Sequence, residues 1–258
     1  MPRDLAALKE DTLQGMPQLT KSPEEVEGRQ DQKMDAADEL KLFRHMRANA
    51  GNNSKRDELH PYTQTLSLSD IESCILLEEA TFPENERCTR EKFDYRLRHC
   101  GELSMGIFTS LTDSDAATAA TSAPVYSGAP KRKSVLLGHI IATKTTNMTV
   151  TDDDMAIPDD SADSAKFGHK EAGRTICIHS LAVLPQYQHR GLGKTLMQAY
   201  LQRIESHDVA DRAALIAHDK LIPYYETFGF SNRGESKCKF AGGGWFDMVK
   251  DLDPGHEE

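Results

Sequence analysis

Two histidines, two glycines, an arginine and a lysine lie within residues 179–197, HSLAVLPQYQHRGLGKTLM. The apolar run after His179 predicts a strand, and the residues from Gly191 onwards predict an amphipathic helix. The first N–H groups of a helix have no intrahelical acceptors and carry the positive end of its dipole. Because glycines let an anion approach the backbone, this strand–loop–helix is typical of a pyrophosphate site, with Arg190 and Lys194 adding positive charge.

The spacing of this loop excludes two other phosphate-binding motifs. A P-loop has the form GxxxxGK[ST], whereas here a single residue separates Gly191 from the Gly193-Lys194 pair. The dinucleotide fingerprint GxGxxG is also excluded, because its third glycine is replaced by Leu196. For the glycines taken alone, a turn or helix cap without any ligand is the alternative.

The loop must be positioned by a domain in which strands and helices alternate. Apolar alternation predicts strands at TQTLSLS, ELSMGIFTS, VLLGHIIATK, TICIHSLAVL and AALIAH, and a closing hairpin from FSNRGES to WFDMVKDL. Apolar stripes at helical spacing predict helices at IESCILLEEATF, TREKFDYRLRHC, GLGKTLMQAYLQRIES and LIPYYETFG. From this order we expect an α+β domain with a mixed sheet rather than a doubly wound fold.

Composition divides the chain into a polar segment and a folded domain. Residues 1–58 contain few large apolar side chains and are expected to be mostly disordered, except for a short helix around DAADELKLFRHMR. Residues 59–258 form the expected domain, with low-complexity insertions at 111–134 and 151–172. The second insertion has seven acidic residues against two lysines. It is interpreted as a solvated loop, or alternatively as an attraction for an amine near a site.

Charge and cysteine content exclude several classes of protein. A net charge of -10 disfavours a nucleic-acid binder, because phosphate contacts need a basic face. The five cysteines are widely spaced without a CxxC pair, so neither a zinc site nor a disulfide framework is indicated, and no metal is expected. No long apolar run or secretory leader is apparent, which favours a cytoplasmic protein without a membrane partner.

The residues around the glycine loop resemble those of a known superfamily. The order V-x-P-x-Y-Q-x-R-G-x-G-K resembles the acetyl-CoA signature of the GNAT N-acetyltransferases, whose core [Q/R]-x-x-G-x-[G/A] is met by Gln188, Gly191 and Gly193. With IHSLAV before it and LIPYYETFGF after it, the chain resembles the arylalkylamine (serotonin) N-acetyltransferase family and its fungal polyamine-acetylating members. The resemblance covers roughly residues 62–252, with ATFPENERCTREKF fitting more loosely. It implies the GNAT fold, with a central mixed, mostly antiparallel sheet flanked by helices.

The resemblance also implies how acetyl-CoA binds as cosubstrate. The pantetheine arm is expected along the strand before the loop, and the pyrophosphate is expected on the loop. The implied cofactor-binding residues are Leu181, Ala182, Val183, Gln188, His189, Arg190, Gly191, Leu192, Gly193 and Lys194. An N–H at the end of the strand can polarise the thioester carbonyl.

The base that deprotonates the amine has two candidates. Vertebrate relatives carry two histidines spaced by one residue on this strand, but here the first position is Cys177 and only His179 is present. His179 could still receive the proton through water. Insect relatives use a glutamate beside a proline after the first helix, and Glu84 and Glu86 follow Pro83 in this way. Both glutamates could instead be solvated or bind a cationic amine.

Other roles are implied by the motif (F/Y)-Y-x-x-F-G-F. Its tyrosine, Tyr225, corresponds to the residue that protonates the departing CoA thiolate. Ile216 corresponds to a family position near the substrate, and Phe82, Leu76 and Met105 are further candidates for pocket walls. Direct transfer is expected, without acylation of a cysteine.

The sequence thus predicts an acetyl-CoA-dependent N-acetyltransferase acting on the primary amine of arylalkylamines such as serotonin and tryptamine, of polyamines, or of both. The partner expected is a small-molecule amine. A protein lysine or N-terminal acetyltransferase is the alternative, followed by a non-catalytic acyl-CoA-binding module.

Overall fold

The structure is a computed structural model that describes residues 59–112, 115–122 and 131–253. The expectations for residues 1–58, including the short helix, lie outside the described residues. In the described ranges the strands are β1 Tyr62–Thr65, β2 Met105–Leu111, β3 Ala119–Ser122, β4 Arg132–Thr145, β5 Thr175–Val183, β6 Arg212–Ala217, β7 Ser231–Glu235 and β8 Phe246–Asp251. The α-helices are α1 Ile71–Thr81, α2 Arg90–Cys100, α3 Asp152–Met155, α4 Leu192–Ser206 and α5 Ile222–Glu226.

The strands form one sheet in the order β1-β2-β4-β5-β6-β8-β7, with β3 paired beside β4. The β5–β6 pair is parallel, and the other described pairs are antiparallel. The prediction of a mixed, mostly antiparallel sheet is therefore confirmed.

Helices cover both faces of this sheet. Successive residues of a strand point to opposite faces, and in β4 Ile140 belongs to one core cluster while Ile141 belongs to the other. On the Ile140 face, α4 buries its predicted apolar stripe, which consists of Leu192, Leu196, Met197, Tyr200, Leu201 and Ile204. On the Ile141 face, α1 and α2 bury Cys74, Leu77, Phe93 and Leu97. The predicted α+β arrangement is confirmed.

The two parallel strands at the centre of the sheet separate along their length. β5 and β6 pair only where Thr175–Cys177 lies beside residues 212–214. Both strands then continue, β5 to Val183 and β6 to Ala217, without further pairing between them in the described residues. The gap leaves one edge of β5 from Ile178 onwards free of a neighbouring strand, so a ligand can lie between the two strands.

Only part of the acidic insertion is a solvated loop. Its first residues form α3, which Thr151 and Asp154 start with a reciprocal capping box. Asp154 and Met155 are buried, and Met155 packs in a small core cluster with Cys177. The insertion is therefore anchored beside β5, which composition alone did not indicate.

Substituting Tyr200 tests how α4 is held on the sheet. Its buried hydroxyl donates a hydrogen bond of 2.9 Å to the carbonyl of Leu103. Tyr200→Phe should lower the free energy of unfolding by about 1 kcal/mol, because a carbonyl loses its donor. Tyr187→Phe is the control, since that hydroxyl makes no hydrogen bond to another described residue. Equal stabilities for the two variants in chemical denaturation would contradict this assignment.

Candidate active site

Two clefts meet where β5 and β6 separate. The first has a volume of about 740 Å³ including its solvent-filled mouth, and His179, Glu86 and Arg96 contribute to its lining. One wall of this cleft is apolar and consists of Phe82, Ile216, Leu221, Phe240 and Trp245. The second cleft has a volume of about 1060 Å³, again including open solvent, and contains the glycine loop.

Four residues line both clefts and form the boundary between them. They are Phe82, Leu181, Leu221 and Tyr225. A molecule lying along β5 in the second cleft can therefore present its end to a group bound in the first cleft. This shared boundary is where a transfer reaction between two bound molecules could take place.

The glycine loop forms an uncapped start to α4. Gly191 is the N-cap with φ 80, a left-handed conformation that favours glycine, and no side chain caps the helix. The first intrahelical hydrogen bond runs from the Thr195 N–H to the Gly191 carbonyl. The N–H groups of the residues before Thr195 therefore have no acceptor within the helix. A Cβ on Gly193 would lie 3.1 Å from the Tyr224 hydroxyl, so this position has little room for a side chain. These features fit an anion at the loop.

A hydrogen bond joins the loop to the strand before it. The Gln188 side chain donates to the Val183 carbonyl over 2.9 Å, which fixes the loop to the end of β5. Most of the predicted cofactor residues line the second cleft. Those that line it are Leu181, Val183, Gln188, His189, Gly191, Leu192, Gly193 and Lys194. Ala182 is buried on the other face of β5, and Arg190 packs over the Tyr187 ring.

His179 lies at an irregularity in β5. Ile141 pairs with Ser180 but Ala142 pairs with Ile178, so His179 is an extra residue in the strand. Its Nε2 is 2.8 Å from the Thr143 hydroxyl, and its Nδ1 is 3.3 Å from the Met155 sulfur. Burial lowers the pKa of His179 well below its usual value, and the positive charges of Arg96 and Lys92 lower it further. His179 is therefore neutral at pH 7.

The two glutamates after Pro83 are placed differently. Glu86 lines the first cleft and lies 3.3 Å from Nε2 of His218, whose ring stacks on Trp245. Glu84 is exposed and does not line this cleft. The structure brings only Glu86 near the other candidate residues.

Tyr225 is buried at the boundary of the two clefts. Its ring makes edge contacts with Tyr224 and Phe230. Burial raises the pKa of Tyr225 above its usual value, so its hydroxyl keeps its proton at neutral pH. A protonated hydroxyl at this boundary can donate to an anion formed there.

Of the remaining residues singled out in the sequence, some line the first cleft and others are buried in the core or lie outside the clefts. Ile216 and Phe82 line the first cleft, as expected for substrate contacts. Met105 is instead buried in the main core, and Leu76 is partly exposed outside both clefts. Cys177 is also buried in the core, where burial raises its thiol pKa well above the usual value.

Sequence reasoning missed a buried polar network that borders the first cleft. Nε2 of His139 lies 3.3 Å from Glu78 and 3.1 Å from the Ser180 hydroxyl. Burial alone would raise the pKa of Glu78, but hydrogen bonds from His139 and the Cys88 N–H outweigh this and lower it. The sequence spacing could have indicated that Glu78 is buried, because it follows the buried Cys74 by four residues and so lies on the apolar stripe of α1.

Two further features concern the described residues as a whole. No group of three or more His, Cys, Asp or Glu side chains in ranges 59–112, 115–122 and 131–253 is arranged to hold a metal ion. Within the same ranges, no helix combines the length and apolar composition that a membrane span requires.

Comparison with known proteins bears on the same part of the chain. The family model described as an acetyltransferase (GNAT) domain matches residues 129–252. Serotonin N-acetyltransferase from Mesocricetus auratus is 39% identical over 66 residues, which cover 26% of this chain and 32% of that protein. The human serotonin N-acetyltransferase is 37% identical over 62 residues, covering 24% and 30% respectively. The chain thus spans about a third of the length of these relatives.

A solved structure with a similar fold is the loading GNATL domain of CurA from Lyngbya majuscula. It superposes with a TM-score of 0.50 at 12% sequence identity, covering 76% of this chain and 99% of that domain. At this identity the similarity shows a shared fold.

The lowered pKa of the half-buried His179 predicts a pH-dependent stability. Because its pKa is lower in the folded state, the unfolded state binds the proton more readily, and stability falls as the pH drops below about 6.5. The loss approaches at most about 1.4 kcal/mol per pH unit. His179→Gln should lose less stability than the wild type between pH 7.5 and pH 5.5 in thermal or urea unfolding. The exposed His99 provides the control variant His99→Gln, which should follow the wild type; identical losses for all three proteins would contradict the prediction.

Proposed function

This chain belongs to the GNAT acetyltransferase superfamily, and from that premise we propose that it transfers an acetyl group from acetyl-CoA directly to the primary amine of a small molecule. The shared boundary of the two clefts carries this proposal. One cleft contains an anion-binding loop, the other contains a neutral histidine and an apolar wall, and they meet at a protonated tyrosine.

The second cleft is assigned to acetyl-CoA. The glycine loop and the N-terminus of α4 would hold the pyrophosphate, with Lys194 adding positive charge. The free edge of β5 would bind the pantetheine arm through backbone groups at Leu181 and Val183, whereas the carbonyl of the predicted contact Ala182 points towards Gly138 of β4. When bound there, acetyl-CoA supplies the acetyl group at the boundary of the clefts.

His179 is assigned to the removal of the amine proton. A free alkylamine has a pKa of about 10, similar to that of lysine, so it is mostly protonated at neutral pH. His179 is neutral and lines the first cleft, so its ring can pass the amine proton on to water, although its lowered pKa means that it does not retain the proton. Its contact with the Thr143 hydroxyl fixes the orientation of the ring.

Glu86 is the second candidate for this step, and Glu84 is less favourably placed because it is exposed outside the cleft. Glu86 lies beside His218, so its carboxylate already has a partner. It could alternatively bind the cationic form of an amine before His179 acts.

Tyr225 is assigned as the acid. Its hydroxyl is protonated at neutral pH and lies at the boundary, where the CoA thiolate would leave. Donation of its proton to the sulfur would neutralise the CoA thiolate as the bond between the acetyl carbon and the sulfur breaks.

The apolar wall favours an acceptor with an aromatic group. Phe82, Ile216 and Trp245 can cover an aryl ring, which supports arylalkylamines such as tryptamine and serotonin. The proposal also includes polyamines, because the carboxylate of Glu86 in the first cleft could bind a second ammonium group of such an acceptor. The serotonin N-acetyltransferase relatives support the aryl class over their matched residues. The net charge of -10 disfavours a nucleic-acid partner, which is consistent with a small-molecule acceptor.

The function can be tested by turnover with three acceptors. The purified full chain is incubated with acetyl-CoA and with tryptamine, spermidine or a lysine-containing peptide, and both thiol release and the acetylated product are measured. We expect acetylation of a small amine well above the rate without acceptor. Acetylation of the peptide alone would favour a protein acetyltransferase, and binding of acetyl-CoA without any turnover would indicate a non-catalytic module.

The role of Tyr225 can be tested by Tyr225→Phe, which removes only the hydroxyl. We expect turnover to fall by about tenfold or more, because acid catalysis commonly contributes on the order of 10² or more. Acetyl-CoA binding, measured by calorimetry, should be retained because the glycine loop is unchanged. Phe228→Tyr leaves the residue 225 hydroxyl in place and should not reproduce the loss. Full turnover in Tyr225→Phe would remove Tyr225 from the mechanism.

A further inference from the structure

A buried arginine lines the first cleft without a carboxylate partner. Arg96, on α2, is 2% exposed and forms no ion pair with any described Asp or Glu. Its Nη2 donates to the Met155 carbonyl over 3.2 Å, and its Nη1 contacts the Cys88 sulfur at 3.5 Å. Its Nε–H has no acceptor in the described structure. A guanidinium has five N–H donors, so most of its hydrogen-bonding capacity is unused.

A second cation lies one helical turn away in the same cleft. Lys92 precedes Arg96 by four residues on α2, a spacing at which like charges repel. Its ammonium lies 5.3 Å from the centroid of the Phe240 ring, and no described carboxylate forms an ion pair with it. Arg96 is buried and Lys92 is half-exposed, so an anion bound beside both would offset their mutual repulsion and the burial of the Arg96 charge.

The carboxylates of the cleft already have other partners. Glu78 is occupied by His139 and by the Cys88 N–H, and Glu86 lies against His218. The third cationic residue of the lining, Arg87, is satisfied differently, because its Nε donates to the Phe82 carbonyl over 2.8 Å and its Nη2 donates to the Glu79 carbonyl. Arg96 and Lys92 are thus the cationic residues of this cleft that are left to bind an anion.

From these contacts we propose that Arg96 and Lys92 form an anionic subsite that binds a carboxylate on the acceptor, so that the preferred acceptor is an amino acid rather than a simple amine. This inference rests on the proposed function and narrows its substrate class. The guanidinium fork of Arg96 matches a carboxylate in shape, and Lys92 adds a second charge.

The position of the subsite fits an amine and a carboxylate attached to the same carbon atom. Met155 connects the two parts of the cleft, since its carbonyl accepts from Arg96 while its sulfur contacts Nδ1 of His179. A carboxylate on Arg96 and an amine that approaches His179 would thus both lie beside Met155. The apolar wall of Phe82, Ile216 and Trp245 is then available for an aromatic side chain. An aromatic α-amino acid meets all three requirements.

Tryptophan and tryptamine provide a matched test because they differ only in the carboxylate. We expect the wild-type kcat/KM for tryptophan to exceed that for tryptamine by about tenfold or more, the usual range for a charge-assisted hydrogen bond. Arg96→Met, which removes the charge at similar volume, should lower this ratio by about tenfold. Arg96→Lys retains a cation and should keep part of the preference. Arg98→Met is the control, because Arg98 is exposed on the same helix and pairs with Asp94.

Binding of the products gives a second measurement that does not require turnover. In the presence of CoA, calorimetry should show tighter binding of N-acetyltryptophan than of N-acetyltryptamine, with the difference lost in Arg96→Met. Acetylation of tryptamine with no preference for tryptophan, and no difference in binding, would overturn the anionic subsite and leave the proposed function intact. The binding difference without turnover of either amine would support the subsite and contradict the proposed function. If Arg96→Met does not fold, the proposal is tested by the ratio of kcat/KM for tryptophan to that for tryptamine in the wild type and in Arg96→Lys.

Discussion

The separation of β5 and β6 is the constraint on which the rest of the site depends. The strands pair at Thr175–Cys177 and then part, so that the edge of β5 beyond Ile178 has no neighbouring strand in the described residues. Backbone N–H and C=O groups in such a gap need partners, and a ligand that lies along the strand can supply them. The same gap allows the two clefts to meet, because helix α5 with Tyr225 and the end of α1 with Phe82 close its sides.

Charge in the first cleft is arranged unevenly. The negative groups, Glu78 and Glu86, are paired with histidines, whereas the positive groups Arg96 and Lys92 lack acidic partners among the described residues. This imbalance has two consequences. It helps to keep His179 neutral, since a nearby positive charge disfavours a second one. It is also the basis of the proposed preference for an acceptor that carries a carboxylate.

Much of the fold could be predicted because its signals are local. The helix at residues 192–206 was predicted from its apolar stripe. Strand β5 was predicted from the alternation of apolar residues, and the glycine loop from the spacing of its glycines. The anchoring of the acidic insertion could not be predicted, because it depends on the burial of Met155 beside a strand that is distant in sequence. Glu78 and His139 were missed for the same reason, since they are far apart in sequence and only the fold brings their side chains into contact.

The sequence by itself predicted the mixed sheet and the glycine loop, because periodicity and motif spacing are properties of neighbouring residues, and its motifs resembled those of the GNAT superfamily. Only the tertiary structure decided which side chains share a cleft. It brought Glu86 to the first cleft and left Glu84 outside, and it placed Arg96 without an acidic partner beside Met155. These choices depend on how α2, α3 and β5 pack together, and burial, which sets the charge state of His179, exists only after that packing has formed.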